Sequence, residues 1–99
     1  MNRVLLIDDE ALARDVLRHY LGSYPDFEIQ EECSNGFDAV KAIQKHKPDL
    51  IFLDIHMPRI NGFETLELIE HQPKVIFTTA YDEYALKAFE LQALDYLLK

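Results

Sequence analysis

Three carboxylates stand where apolar runs of this sequence end. Asp8 and Asp9 follow residues 4–7, and Asp54 follows residues 50–53. No histidine or cysteine lies in a paired metal spacing beside them, so the sequence predicts a hard, oxygen-rich site that suits Mg²⁺ or Mn²⁺. Because like charges held close together repel one another, a cation or a proton is expected among the three acids.

A hydroxyl and an ammonium group complete the candidate site. Thr79 follows residues 74–78, which are predicted as a strand, and Lys99 is the last residue of a strand predicted at 95–99. A cation and Lys99 would neutralise the oxygens of a phosphoryl group, while Thr79 would donate a hydrogen bond to one of them. Asp54 is then the candidate nucleophile, because carboxylates form acyl phosphates in other aspartyl-phosphate systems.

The apolar periodicity predicts the elements that would bring these residues together. Strands are predicted at residues 4–7, 27–33, 49–54, 74–78 and 95–99. Helices are predicted between Asp9, as N-cap, and Gly22, between Asn35 and Pro48, from about residue 62 to 71, and from 82 to 91. This strict alternation predicts one α/β domain over residues 1–99 with a doubly wound parallel sheet. The carboxyl ends of parallel strands share one edge, where such sheets bind ligands.

Composition limits what the chain does by itself. The net charge of −8 argues against nucleic-acid binding by this segment, because phosphate backbones need a basic surface. The single cysteine, Cys33, excludes an internal disulfide and fits a reducing cytoplasm. No apolar stretch is long enough to span a bilayer, and no signal peptide is visible, so no membrane partner is predicted.

The motifs resemble the receiver domain of two-component response regulators. The matching residues are Asp8-Asp9-Glu10, Asp54 with Met57-Pro58 and Gly62, Thr79-Ala80, Tyr96 and Lys99. The resemblance implies a flavodoxin-like (CheY-like) five-stranded parallel sheet in the order 2-1-3-4-5. It also implies a signalling domain rather than an enzyme, one that assists its own Mg²⁺-dependent phosphotransfer and dephosphorylation.

The same resemblance implies roles for individual residues. A sensor histidine kinase would phosphorylate Asp54, and the metal would be held by Asp9, Asp54 and the backbone carbonyl of His56, with Asp8 acting more through water. Thr79 and Lys99 would assist phosphotransfer. Thr79 and Tyr96 would form a switch that changes the face made by the fourth helix and fifth strand.

Residues 77–89 and 93–99 resemble the LytTR (LytR/AlgR-like) subclass, in which a DNA-binding domain follows the receiver and controls transcription. No such domain is present, and five strands are supplied with only four helices, so the fifth helix is expected to be missing by truncation. DNA contact would then need an output domain that is absent. The exposed apolar surface predicts self-association, for example by helix exchange between chains.

Two other functions are compatible with parts of this pattern. A haloacid-dehalogenase-type phosphohydrolase also uses an aspartyl nucleophile, but it carries Asp-x-Asp on one strand, whereas here the acids Asp8 and Asp9 are adjacent and Asp54 is on another strand. A degenerate receiver would act as an interaction module without phosphorylation, which the complete set of site residues argues against. Turnover of a phosphate ester would favour the hydrolase, and failure to bind Mg²⁺ would favour the module.

Overall fold

The computed structural model describes residues 2–79 and 95–98. The strands are β1 (Asn2–Ile7), β2 (Phe27–Cys33), β3 (Leu50–Asp54), β4 (Lys74–Thr79) and β5 (Asp95–Leu98), and the helices are α1 (Ala11–Leu21), α2 (Gly36–His46) and α3 (Gly62–Glu67). The helix predicted at residues 82–91 and the predicted site residue Lys99 lie outside the described residues. Within the described ranges, no helix has the length and apolar character that a membrane crossing requires.

The strands form one parallel sheet in the order β2-β1-β3-β4-β5. The parallel α/β sheet confirms the prediction from the alternating elements, and the placement of β2, β1, β3 and β4 confirms the order that the family resemblance implies for these strands. β2 lies at the edge, as its mixture of apolar and polar residues indicated. β3 lies in the middle and all five of its residues are buried, which agrees with its continuous apolar sequence.

Alternate residues of the central strands pack on opposite faces of the sheet, because successive strand side chains point in opposite directions. On one face Leu5, Ile7, Ile51, Leu53 and Phe77 pack with residues of α2 and α3, including Ala39, Ile43 and Phe63. On the other face Val4, Leu6, Leu50 and Phe52 pack with Leu17 and Leu21 of α1. The central strands that end at the carboxyl edge are therefore covered by apolar side chains on both faces.

Helix α1 begins differently from the prediction. Its N-cap is Glu10 rather than Asp9, and the Glu10 side chain makes no capping hydrogen bond. The Glu10 carbonyl accepts the first helical hydrogen bond, from the Arg14 N–H at 3.2 Å. The Glu10 N–H donates to Asp8 Oδ1 at 2.9 Å, so Asp8 orders the turn into the helix. The prediction of Asp9 as N-cap was wrong by one residue, and Asp8 contributes through its bond to the N–H of the N-cap residue Glu10.

Helix α3 is shorter than predicted and ends at Glu67 rather than near His71. Its start is fixed by a capping box, in which Asn61 and Glu64 each accept a hydrogen bond from the other's backbone N–H. Its end tightens, because the Leu68 N–H bonds to the Thr65 carbonyl three residues back. Ile69 is buried even though it lies beyond the helix. The apolar spacing therefore marked a buried face correctly but not the helix end.

Cys33, at the end of β2, is expected to be unreactive in the folded chain. Its side chain is buried, and burial, with smaller contributions from Glu31 and Asp38, raises the thiol pKa to about 12. Because this pKa exceeds the unfolded value of about 8.5, the stability that the protonated thiol contributes is complete below that pH and is lost as pH rises toward 12. We expect slow reaction with Ellman's reagent at pH 8 and fast reaction in denaturant. Equal rates in both conditions would contradict this prediction.

Candidate functional site

The strand register brings the acids and hydroxyls to one edge of the sheet. The pairing of β1 with β3 ends at Ile7 and Leu53, so Asp8 and Asp54 are the next residues on two neighbouring strands. Asp54 is in turn paired with Thr78 on β4, and Thr79 follows it. The exposed fractions are 1% for Asp8, 2% for Asp54, 5% for Thr78 and 0% for Thr79. Polar side chains are thus buried together at the edge where the sequence predicts the site.

The turn after β1 gathers three carboxylates. The Asp8 N–H donates to the Cys33 carbonyl at 3.0 Å, which continues the pairing of β1 with β2. Carboxylate oxygens of Asp8, Asp9 and Glu10 lie within 4.8 Å of one another. Asp8 is buried, whereas Asp9 and Glu10 are exposed. The cluster therefore has one acid inside the protein and two that face the solvent.

The loop after β3 holds Asp54 in place. The Ile55 N–H donates to the Thr78 carbonyl at 3.1 Å, and the Gly62 N–H donates to the Ile55 carbonyl at 2.9 Å. The His56 N–H lies 3.3 Å from Asp54 Oδ1, to which it donates a hydrogen bond. An added Cβ on Gly62 would stand 2.6 Å from the Asp54 carbonyl oxygen, so only glycine allows this approach. Backbone contacts on both sides thus fix the residue that carries the proposed nucleophile.

Most of the predicted site residues lie at this edge, namely Asp8, Asp9, Asp54 and Thr79. For Tyr96 only the backbone is described, paired with Phe77 across β4 and β5. Asp54, predicted as a metal ligand, is not a member of the 4.8 Å carboxylate cluster, whereas Glu10 is. The sequence analysis gives Glu10 no ligand role and includes it only in the acidic motif. Its position next to Asp9, before a helix, is the signal that could have found it.

The donor set fits a hard divalent cation. The cluster offers carboxylate oxygens, the groups that Mg²⁺ prefers, and its two exposed members leave room for the water ligands that Mg²⁺ usually keeps. It is the single group of three or more histidine, cysteine or acidic side chains with metal-binding spacing found within residues 2–79 and 95–98. These residues would hold the cation beside buried Asp54.

Over residues 4–99 the sequence matches a protein family, the response regulator receiver domain. The chain belongs to this family. The receiver domain is similar over its whole length to transcriptional regulatory protein BtsR of Escherichia coli K12, with 52% identity over 101 aligned positions. It covers only 42% of BtsR, so the chain spans about two fifths of that relative's length.

Solved structures show the same fold. The receiver domain superimposes on the response regulator domain of Thermotoga maritima CheB with a TM-score of 0.91 and 33% identity, covering 100% of this chain and 78% of that one. It superimposes on Thermotoga maritima TrrA in complex with Mg²⁺ and BeF with a TM-score of 0.86 and 34% identity, covering 100% of this chain and 87% of that one. The CheY-like fold predicted from the sequence is confirmed.

Proposed function

We propose that this receiver domain accepts a phosphoryl group on Asp54 from a sensor histidine kinase of a two-component system. The observation that carries the proposal is the burial of Asp54 at a strand end, between Asp8 and the hydroxyl-bearing end of β4 and beside the carboxylate cluster. A carboxylate in that position can be reached by a phosphoryl group from one direction only, the open edge of the sheet. Fixed geometry is what phosphoryl transfer needs, since the protein contributes mainly positioning and charge stabilisation.

The reaction follows from this arrangement. A carboxylate oxygen of Asp54 attacks the phosphorus of the kinase phosphohistidine, an O–P bond forms, and the P–N bond breaks with its electron pair left on the ring nitrogen. The proton already on the other ring nitrogen makes the released imidazole neutral. Asp8, Asp9, Asp54 and the His56 carbonyl would hold Mg²⁺, with Glu10 beside them. Bound there, the cation supplies positive charge against the phosphoryl oxygens.

The remaining roles concern what happens after transfer. Thr79, buried at the end of β4, would donate its hydroxyl to a phosphoryl oxygen, and Lys99 would neutralise another. The inward movement of Thr79 would let Tyr96 turn, which changes the face made by the fourth helix and β5. The same residues would assist hydrolysis of the acyl phosphate.

We propose further that the domain works in the cytoplasm as part of a transcription regulator of the LytTR subclass. BtsR is named as a transcriptional regulatory protein, and the receiver domain matches two fifths of it. With a net charge of −8, the receiver itself is a poor ligand for DNA. DNA contact therefore belongs to a separate output domain of the longer protein.

An apolar surface on α1 supports self-association of the 99-residue chain. Leu12, Val16 and Tyr20 form an outer stripe of α1 with exposed fractions of 79%, 66% and 67%. Beside it a cavity of about 400 Å³ is lined partly by Leu12, Val16 and Leu97. The fifth helix that the sequence analysis expects to be missing would cover this surface in a longer protein. For the chain alone, we propose that a second copy covers it, either by face-to-face contact or by helix exchange.

Phosphoacceptance is tested by intact-mass spectrometry after incubation with acetyl phosphate and Mg²⁺. We expect one phosphate adduct on the parent chain, because Asp54 is the fixed nucleophile, and complete loss of the adduct in Asp54→Asn or with a chelator present. Asp26→Asn removes an exposed acid away from the site and should keep the adduct. A folded, Mg²⁺-treated parent without an adduct would overturn the proposal. Continuous release of phosphate without an adduct would favour a phosphohydrolase.

A further inference from the structure

Arg14, in the first turns of α1, contacts the backbone of the acidic turn formed by residues 8–10. Its Nη1 donates to the Asp8 backbone carbonyl at 2.6 Å. Its Nε lies 3.4 Å from Glu32 Oε1 on β2. The side chains of Arg14 and Glu32 are only 19% and 24% exposed, so solvent screens this ion pair less than a fully exposed one. The planar guanidinium thus joins the acidic turn to the edge strand.

The carbonyl that Arg14 holds belongs to the peptide unit between the two acids. A peptide unit is planar, so fixing the Asp8 carbonyl also fixes the Asp9 N–H and the direction in which the Asp9 chain continues. On the other side of Asp8, its N–H is held by the Cys33 carbonyl at 3.0 Å. The Asp8 carboxylate accepts from the Glu10 N–H at 2.9 Å. With the Arg14 contact added, rotation of the Asp8–Asp9 peptide plane would break a charge-assisted hydrogen bond.

We propose that Arg14 is a positioning residue for the cation site, and that Glu32 acts through it by anchoring the guanidinium. Arg14 touches neither the phosphoryl group nor the cation in this role. It keeps the exposed Asp9 carboxylate aimed toward buried Asp8, so that the two acids are arranged before the cation arrives. The inference rests on the proposed function, because it assumes that these acids hold Mg²⁺.

Arg18 provides a matched control on the same helix. Its Nη1 lies 2.6 Å from Glu32 Oε2, so it shares the carboxylate that anchors Arg14. Its second ion pair is with Asp15, and these two acids account for its ion pairs within the described residues. Replacing Arg18 therefore disturbs Glu32 and the surface charge but leaves the hydrogen bond to the Asp8 carbonyl in place.

The test is calorimetric titration of Mg²⁺ into the parent chain and the variants Arg14→Gln, Arg14→Lys, Arg18→Gln and Glu32→Gln. We expect Arg14→Gln to raise the Kd for Mg²⁺ roughly tenfold. This is the low end of the affinity losses seen when a residue that orients a metal ligand is replaced. Arg14→Lys should also bind Mg²⁺ more weakly, because a lysine ammonium lacks the planar set of N–H donors that lets Arg14 contact the Asp8 carbonyl and the Glu32 carboxylate together. Arg18→Gln should stay within about twofold, as exposed ion pairs contribute little. Glu32→Gln alone should raise the Kd for Mg²⁺. The double variant Arg14→Gln with Glu32→Gln should have the same Kd as Arg14→Gln alone.

A readout without metal separates positioning from general destabilisation. In ¹⁵N relaxation of the Mg²⁺-free chain, Arg14→Gln should increase the mobility of the Asp9 amide and leave the β3 amides unchanged. An Arg14→Gln chain with the parent Kd and a rigid Asp9 amide would overturn the inference, as would an equal loss in Arg18→Gln. If both Arg14 variants fail to fold, the Glu32→Gln titration decides: an unchanged Kd overturns the inference. A folded parent that binds no Mg²⁺ would overturn the cation site itself and the inference with it.

Discussion

Gly62→Ala is expected to lower stability and to slow phosphorylation of Asp54 at the same time. A Cβ at this position would lie 2.6 Å from the Asp54 carbonyl oxygen and 3.1 Å from the Ile55 Cα. Both are backbone atoms of the segment that carries the nucleophile, so the loop must move rather than a flexible side chain. Overpacking of this kind costs about 2 kcal/mol, and a nucleophile displaced by about 1 Å reacts roughly a hundredfold more slowly.

The measurements are urea unfolding and the initial rate of acetyl phosphate labelling with Mg²⁺ present. Gly22→Ala is the matched control, because Gly22 has an ordinary helical φ of −60° and follows α1 far from the site. An added Cβ there would meet its nearest atom, the His19 carbonyl oxygen, at 3.3 Å. We expect only a small change in stability and the parental labelling rate. Parental stability and rate in Gly62→Ala would show that the close approach to Asp54 does not constrain the site.

The double substitution Leu12→Gln with Val16→Gln is expected to convert a dimeric chain into a monomer. These side chains are 79% and 66% exposed, and they border the cavity beside Leu97, so a second copy can bury them together. Size-exclusion chromatography with light scattering should give the parent about twice the 11.6 kDa chain mass and the variant a single chain mass. Glutamine keeps a good helix propensity, so α1 itself should persist.

Leu68→Gln is the control for loss of an exposed apolar side chain. Leu68 is 52% exposed but lies at the end of α3, whose core contacts are on the other face of the sheet. We expect this variant to remain a dimer. A monomeric parent chain would contradict the assignment of the α1 surface as the interface. A Leu68→Gln variant that is as monomeric as the Leu12→Gln and Val16→Gln double variant would contradict it too.

Strand positions and the buried face followed from the sequence because their signals are local. Continuous apolar runs such as residues 50–53 occur where a strand is covered on both sides, and the next residue is then placed at the carboxyl edge. The sequence alone therefore predicts that Asp8, Asp54 and Thr79 lie together. The parallel sheet followed from the alternation of elements in the same way, whereas the CheY-like strand order followed from the resemblance of the site motifs to receiver domains.

Features that depend on particular hydrogen bonds and ion pairs, whether local or between distant residues, could not be predicted from the apolar spacing. The N-cap of α1 is Glu10 rather than Asp9, and the Asp8 carboxylate accepts from the Glu10 N–H, a local contact that the apolar spacing does not show. The end of α3 at Glu67 depends on a tight turn to Thr65, whereas the apolar spacing continued to Ile69. Arg14 has the sequence pattern of an ordinary charged residue on a helix surface. Its contacts with Asp8 and Glu32 need the packing of α1 against β1 and β2.

Borohydride trapping of the phosphorylated chain tests most directly whether Asp54 is the phosphoacceptor. Borohydride reduces an acyl phosphate to the alcohol, so a phosphorylated aspartate becomes homoserine and can be located by tandem mass spectrometry. After incubation with acetyl phosphate and Mg²⁺, we predict homoserine at position 54, and none at that position when Mg²⁺ is chelated. Homoserine at position 8 or 9, or none anywhere in a folded and Mg²⁺-treated chain, would contradict the assignment of Asp54.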